Sequence, residues 1–312
     1  MRGSINSYLL FVFCGIFAVV HLANAEDDFV PQEEFYIFVN KEANTLSLRS
    51  VLEPKKILKT YSAISGFNAG DKIAEGDRKT PEGIYVTTGR VSESQLYKPL
   101  HGPAGIALNY PNPVDRINKQ TGSGIWIHGV KDDSRLLKRF DTRGCVAVAN
   151  ENILKLVNWF VPNKTVVVVV DKELPRNNWG LQDADSILEQ RVKEWATAWS
   201  SQMTEEYIQL YHPDFRSKNM NRTQWKNYKA SLNKRYKYIQ VEVSNIRTYK
   251  HSKYWMTQFD QRYESNLFKS FAVKRLYWVG AENNPLIIAE DSMETKEGPK
   301  TLGSGLSELS GR

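Results

Sequence analysis

Cysteine is scarce in this chain of 312 residues: there are two, Cys14 and Cys145, and histidine occurs only five times. A disulfide-stapled scaffold is therefore excluded, and no Cys/His spacing of the zinc-binding kind occurs. Long apolar runs are also missing. The run Tyr8–Val20 has 13 residues, short of the roughly 20 that cross a bilayer, which excludes a polytopic membrane protein. Neither a Walker loop nor a Gly-x-Gly-x-x-Gly is present, and there is no internal repeat. With 41% hydrophobic and 25% charged residues, the chain reads as folded and globular rather than disordered. Its length fits two domains at ~150 residues each. The net charge of +7 would suit nucleic acid, anionic lipid or an acidic polymer and selects none of them; it reads first as a solvated surface.

The N-terminus changes how the rest is read. Arg2 is the only charged residue before Glu26, the short apolar run follows, and Ala23-Asn24-Ala25 supplies the small-x-small pattern that signal peptidase accepts. Residues 1–25 are thus expected to be an export signal cut before Glu26, leaving a mature chain of charge +6 with no stable membrane insertion. Phe13 stands where lipoprotein processing at Cys14 would need a small residue. Cleavage leaves Cys145 as the sole thiol. In an oxidising compartment a lone thiol is a liability unless it is buried or has a task.

Residues 26–174 read as a mostly β domain. Short β-like runs at Phe35–Val39, Thr45–Val51, Ile57–Ser65, Gly83–Val91, Gly105–Tyr110, Gly124–Val130 and Thr165–Asp171 are separated by turn residues. Leu46, Leu48 and Val51 alternate with polar residues, as in a half-exposed strand, whereas Val166–Val170 is continuously apolar, as in a central one. One helix packs on this layer: Asn150 is positioned to cap it, Ile153, Leu156 or Val157, and Phe160 recur at helical spacing, and Pro162 stops it. Residues 175–182 read as a linker. Over 183–293 amphipathic helices (Ile187 to Trp199, Glu205–Tyr211) precede long alternating runs, with Trp255, Thr257, Phe259, Gln261 and Tyr263 on one face. That order predicts an α+β cone. The stretch 294–312 is Gly/Ser/Lys/Glu-rich and reads as a disordered tail.

The chemistry gathers between Trp126 and Asn150. Trp126-Ile127-His128-Gly129-Val130 is followed by an 11-residue loop and Thr142-Arg143-Gly144-Cys145. A thiol nucleophile needs a base, donors for the developing oxyanion, and room for substrate. His128, ending an apolar strand, can supply the base and protonate the leaving amine. The N–H groups around Gly144 and Cys145 can form the oxyanion hole, and Arg143 is expected to depress the thiol pKa. Thr142, Trp126, Arg143 and Arg116 are the candidate substrate contacts.

A Cys–His pair alone is weakly specific, but a His-Gly strand followed by Thr-x-Gly-Cys resembles the signature of the YkuD-type L,D-transpeptidase family. Gly76-Asp77-Arg78-Lys79-Thr80-Pro81-Glu82-Gly83 is similar to that family's Gly-Asp-x-x-Thr-Pro-x-Gly loop, and Leu108-Asn109-Tyr110-Pro111-Asn112 with Asp115-Arg116 to the segment before its His strand. The resemblance covers about residues 35–171. It implies a mixed β sandwich and attack on the amide between meso-diaminopimelate and D-alanine of peptidoglycan tetrapeptide stems, through a Cys145 thioester. His128 would be the base, and Gly129 the residue whose carbonyl orients it. Water as acceptor makes an L,D-carboxypeptidase; an amine makes a transpeptidase that forms 3→3 crosslinks or attaches proteins. Two positions depart from the pattern. Arg143 stands where many members have His, and Ala147 where many have an Arg thought to hold the substrate carboxylate, so Arg143 or Arg116 is expected to take over.

The second half resembles the SnoaL-like, nuclear-transport-factor-like domain through Val192-Lys193-Glu194-Trp195 with Trp199, Tyr207–Tyr211, Trp225–Lys229 and Phe259–Tyr263. The same domain pairing occurs in exported L,D-carboxypeptidases that set cell shape, which favours hydrolysis and a periplasmic location. No metal or organic cofactor is implied. His212 and His251 read as surface or capping residues, and His101 as either a surface residue or the border of the cleft. The aromatic residues of the second half read as core, or else as the lining of a pocket for a glycan, peptide or protein ligand. Lys226–Lys237 reads as a solvated face, and export argues against nucleic acid. The competing reading of another class is a non-catalytic wall-binding scaffold; intact His128, Gly144 and Cys145 speak against it.

Overall fold

The computed structural model describes residues 29–92, 94–138, 140–173 and 181–295, with the side chains of Lys98 and residues 181–184 left aside. Residues 1–25, expected to be an export signal, residues 175–180 of the expected linker and the expected tail beyond Thr295 lie outside the described residues.

The first part contains β1 (Phe35–Asn40), β2 (Thr45–Ser50), β3 (Ile57–Gly66), β4 (Gly83–Arg90), α1 (Lys98–His101), β5 (Gly105–Leu108), α2 (Pro113–Ile117), β6 (Trp126–His128), a 3-10 turn (Asp133–Leu137), β7 (Phe140–Thr142), β8 (Val146–Val148), α3 (Asn150–Trp159) and β9 (Val166–Val170). Strand neighbours run β2-β1-β9-β4-β5-β6-β8-β3-β7, and β2 also pairs with β3, so the layer closes into a barrel-like arrangement. β9 lies between β1 and β4 with Val166–Val169 buried. A run of β-branched residues suits a strand covered on both faces.

Two local expectations change. β2 is not half-exposed: Ser47, Arg49 and Ser50 are as buried as Leu46 and Leu48. The polar face is tolerated there because its groups are satisfied. Arg49 forks onto Glu173 at 3.0 and 3.1 Å and lies 3.7 Å over the Phe38 ring, and Ser50 donates to Glu33. The cap of α3 is Ala149; Asn150 is already helical, and its Oδ1 instead accepts from Val130 N–H at 2.9 Å. The short elements α1, α2, the 3-10 turn, β7 and β8, of three to five residues, carry no periodicity and were not legible. α2 is held by an Asn112/Asp115 capping box.

The second part comprises α4 (Leu181–Ser200), α5 (Thr204–Gln209), β10 (Tyr211–Ser217), β11 (Met220–Asn221), α6 (Arg222–Arg235), β12 (Ile239–Lys250), β13 (Trp255–Ser265), β14 (Lys269–Ala281) and β15 (Asn284–Thr295) in one sheet ordered β11-β10-β15-β14-β13-β12. Helix is already formed at Leu181, inside the stretch read as linker. β15 continues to Thr295 because its ladder with β14 continues to Phe271. α6, capped by Asn221 and Gln224, occupies the lysine-rich stretch that read only as a solvated face.

β13 explains how the parts join. Phe259 and Tyr263 pack with Trp195 and Val192 of α4 inside the cone. Met256, on the opposite face, enters a second cluster with Tyr36, Phe38, Ile84 and Val168 of the first part. The sheet is thus buried on both sides, and a core spans both parts. Polar ties reinforce it. Tyr254 Oη accepts from Ile84 N–H (2.7 Å) and Asn112 Nδ2 (2.8 Å), Gln258 Nε2 donates to Lys164 O (3.0 Å), and Lys253 pairs with Asp71 (2.6 Å). Tyr254→Phe deletes one acceptor shared by two buried donors and is expected to destabilise by about 1–3 kcal/mol. A lower urea midpoint at unchanged m-value would register it.

Candidate active site

Parallel pairing of β6 with β8 sets Ile127 opposite Val146 and His128 opposite Ala147. Side chains alternate along strands, so Trp126, His128 and Cys145 emerge on one face. The Trp126 N–H points at Cys145 Sγ (3.4 Å), and the thiol donates weakly to Gly124 O (3.5 Å). The residue is half-buried. Burial pushes the thiol up to about 11, against the opposing pull of the Trp126 N–H and of the Lys72 and Arg135 charges. This corrects the expected depression by Arg143, which is exposed. Loss of hydration disfavours the thiolate more than those groups favour it.

His128 is buried, and its Nδ1 meets Gly129 O at 2.5 Å. With the Nδ1 proton donated there, Nε2 is left as the basic nitrogen. Burial is the largest influence and drives its pKa down to about 4; the Gly129 and His101 carbonyls oppose this, while the His101 ring and the Arg135 charge add to it. Thiol and imidazole therefore both rest neutral near pH 7.

The turn before Cys145 is built by Thr142, whose Oγ1 donates to Cys145 O (2.7 Å) and accepts from Gly144 N–H (3.1 Å). Gly144 has φ +129°, and a Cβ there would lie 2.8 Å from Lys79 O, so only glycine fits. Its N–H, expected as an oxyanion donor, is engaged by Thr142 in this state. Thr142 shapes the turn rather than facing outward.

The Gly-Asp-x-x-Thr-Pro-x-Gly loop braces the turn from the other side. Thr80 Oγ1 accepts from Gly66 N–H (2.8 Å) and donates to Cys145 O (3.4 Å). Burial alone would raise the Asp77 pKa, but Lys72 and the N–H groups of Lys79, Ala74 and Ile73 together bring it down to about 2.

Arg116 is not brought to this site. It lies on α2, donates to Pro111 O, and lines a cavity in the cone. The guanidinium that does act on Cys145 and His128 is Arg135, held by Asp141 (2.8 Å) and Leu100 O (2.9 Å). It sits in the 11-residue loop that read as a plain connection; its only advance signal was the Arg135/Asp141 charge pair. His101, left open between surface and cleft, borders His128 and Trp126. His251 is buried, not superficial, and accepts from Lys253 N–H. Among the described residues no cluster of three His, Cys, Asp or Glu could hold a metal ion.

The cone cavity has a volume of about 1130 Å³ and shares no lining residue with the Cys145 cluster. At its wall Lys274 pairs with Glu290 (2.8 Å), which also accepts from Tyr211 Oη (2.9 Å). Lys229 is buried rather than solvated, with Nζ 3.3 Å from the Trp199 ring centroid, and burial pushes its pKa down to about 7.

A thiol and a neutral, carbonyl-tethered imidazole on adjacent strands of a closed β layer, joined to an α+β cone, define an L,D-transpeptidase-type protein with an accessory domain. The comparisons agree. Residues 34–169 match the L,D-transpeptidase catalytic domain (YkuD), and residues 187–291 the Cds6 C-terminal NTF2-like domain. The chain is similar to Bd1075 of Bdellovibrio bacteriovorus, at 30% identity over 85% of this chain and 94% of that one, with a TM-score of 0.69. It is similar also to the helical cell shape determining protein Pgp2 of Campylobacter jejuni, at 29% identity over 82% and 91%, with a TM-score of 0.67. No curated protein sequence matches. The chain belongs to the YkuD L,D-transpeptidase family and carries a C-terminal NTF2-like domain, which gives it a peptidoglycan-modifying role.

Proposed function

We propose that the protein is a periplasmic L,D-carboxypeptidase, exported by residues 1–25, that trims peptidoglycan tetrapeptide stems to tripeptides. The observation that carries this reading is the neutral His128, tethered to Gly129 O on the strand beside Cys145. His128 Nε2 takes the thiol proton as Sγ attacks the carbonyl between meso-diaminopimelate and D-alanine, forming a tetrahedral oxyanion beside backbone N–H groups. The imidazolium returns the proton to the departing amine, D-alanine leaves, and a thioester remains. Water, deprotonated by His128, then releases the tripeptide and restores the thiol. Hydrolysis is favoured over crosslinking by the pairing with the cone and by likeness to a protein named for determining cell shape.

The cone cavity is read as the seat of a glycan or peptide ligand with an anionic group. Lys229 makes no ion pair among the described residues, and Trp199 Nε1 and Gln261 Oε1 are buried there without partners.

The test is incubation of the mature protein with disaccharide-tetrapeptide, with Cys145→Ala as blank and products weighed by mass spectrometry. Loss of one D-alanine per stem supports the carboxypeptidase. Crosslinked dimers or exchanged terminal residues would make it a transpeptidase, and untouched substrate a wall-binding scaffold.

A further inference from the structure

The loop between β4 and β5 ends against the imidazole. Its short helix α1 presents the half-buried His101 ring edge-on to two aromatic neighbours at once, Trp126 (centroids 5.2 Å apart, planes at 71°) and His128 (4.9 Å, 73°). Nothing in the reaction as written above employs this ring.

The His101 ring is itself held. Its Nδ1 accepts from Tyr97 N–H (3.2 Å), and the backbone N–H of His101 donates to Tyr97 O (2.9 Å). The loop is clipped on both sides of the residue. Arg135 donates to Leu100 O (2.9 Å), and Gly129 N–H, from the residue after His128, donates to Ala104 O (3.3 Å). A displacement of this loop would therefore be felt directly by the strand end that carries the base.

His128 needs such a neighbour. Its bond to Gly129 O fixes one ring atom, yet the torsion that turns an imidazole about its stem has a broad minimum. The His101 carbonyl adds a second, weaker pull on the ring, and the plane of the imidazole, hence the direction of Nε2, is set by what packs beside it. A flat edge packed against the face or rim narrows that minimum.

We propose that His101 is a positioning residue of this site: its ring, wedged against His128 and Trp126, sets the plane of the His128 imidazole and keeps Nε2 turned toward the Cys145 thiol. The inference rests on the reading of His128 and Cys145 as base and nucleophile. The titratable and charged groups that bear on His128 are His101 from α1 and Arg135 from the 3-10 turn. Burial, with the Arg135 charge, lowers the His101 pKa, so near pH 7 the wedge is a neutral ring and adds no repulsion when His128 takes its proton.

The experiment compares mature wild type with His101→Ala, His101→Leu and His101→Phe. The leucine variant fills the same space without a flat edge, which guards against collapse of the loop; thermal melts establish that each variant is folded. Two readouts are taken: kcat and KM for D-alanine release, and the rate of Cys145 alkylation by iodoacetamide from pH 5 to 9, which requires no substrate. With the ring edge gone, kcat is expected to fall about 10- to 100-fold with KM within about twofold, as for a misplaced catalytic group. Alkylation near pH 7 should slow by a similar factor in the alanine and leucine proteins, because the thiol loses its base. His101→Phe, which restores the edge but no nitrogen, should recover most of both rates. Wild-type kcat and alkylation in the folded alanine or leucine protein would overturn the proposal. So would a phenylalanine protein as impaired as alanine. If wild type releases no D-alanine while the alkylation pattern holds, the carboxypeptidase reading falls and the positioning role of His101 stands.

Discussion

Replacing His128 by alanine should lower D-alanine release by about 10²- to 10⁴-fold, and Cys145→Ala should abolish it. The pH profile expected of wild type follows from the resting state of the pair. With the thiol at about 11, the thiolate fraction at pH 7 is only ~10⁻⁴, so attack depends on a base taking the proton during the reaction. With His128 at about 4, that base is unprotonated, and so competent, at every pH above about 5. As pH falls through 4 the imidazole takes a proton and the rate falls with it. As pH rises toward 11 the thiol ionises unaided and the need for a base disappears. Under saturating substrate, kcat should therefore be flat from about pH 5 to about 10, with an acid limb near 4 that vanishes in His128→Ala. A pair resting as thiolate and imidazolium would behave differently, since its rate would decline on the alkaline side as the imidazolium lost its proton. A kcat profile measured between pH 3.5 and 10 separates the two.

Gly66→Ala should be nearly as damaging, though the residue never touches the thiol. A Cβ there would stand 2.5 Å from Arg78 O, 2.7 Å from Thr80 N and 2.9 Å from Lys79 C. All three are backbone atoms, so no rotamer change relieves the clash, and the loop must move. That loop carries Thr80, which joins Gly66 N–H to Cys145 O, and Asp77, which holds Lys72 beside the nucleophile. Forcing it outward is an overpacking defect expected to destabilise by about 3 kcal/mol, and it should loosen the turn that presents Cys145. Urea unfolding would show a lower midpoint, and kcat should fall at temperatures where the variant is still folded. Gly89→Ala, with nothing within 4 Å of its Cβ, is the matched control and should leave both close to wild type.

Legibility along the chain tracked the range of the forces involved. The long strands of the cone and the inward face of β13 could be read from alternation because each is a pattern of neighbours in sequence. The strand-His-Gly and Thr-x-Gly-Cys segments could be read for the same reason. α6 was missed because a helix whose buried residues are only Trp225 and Lys229 shows almost no apolar stripe. Ser47 and Arg49 read as exposed because alternation reports side-chain type, while burial depends on β3 and Glu173 arriving from elsewhere. Arg116 was placed near the thiol by its nearness in sequence to the His strand. α2 turns it instead to the cone cavity, which only the packing of two distant segments creates.

By itself the sequence determined the family, the order of its two domains, and the candidate thiol and imidazole, because these rest on residue type and spacing within short segments. Only the tertiary structure decided which charges bear on that pair and whether it rests ionised. Those depend on burial and on distances between segments far apart in the chain. Thus Lys72 and Arg135, not the adjacent Arg143, act on Cys145, and desolvation outweighs both.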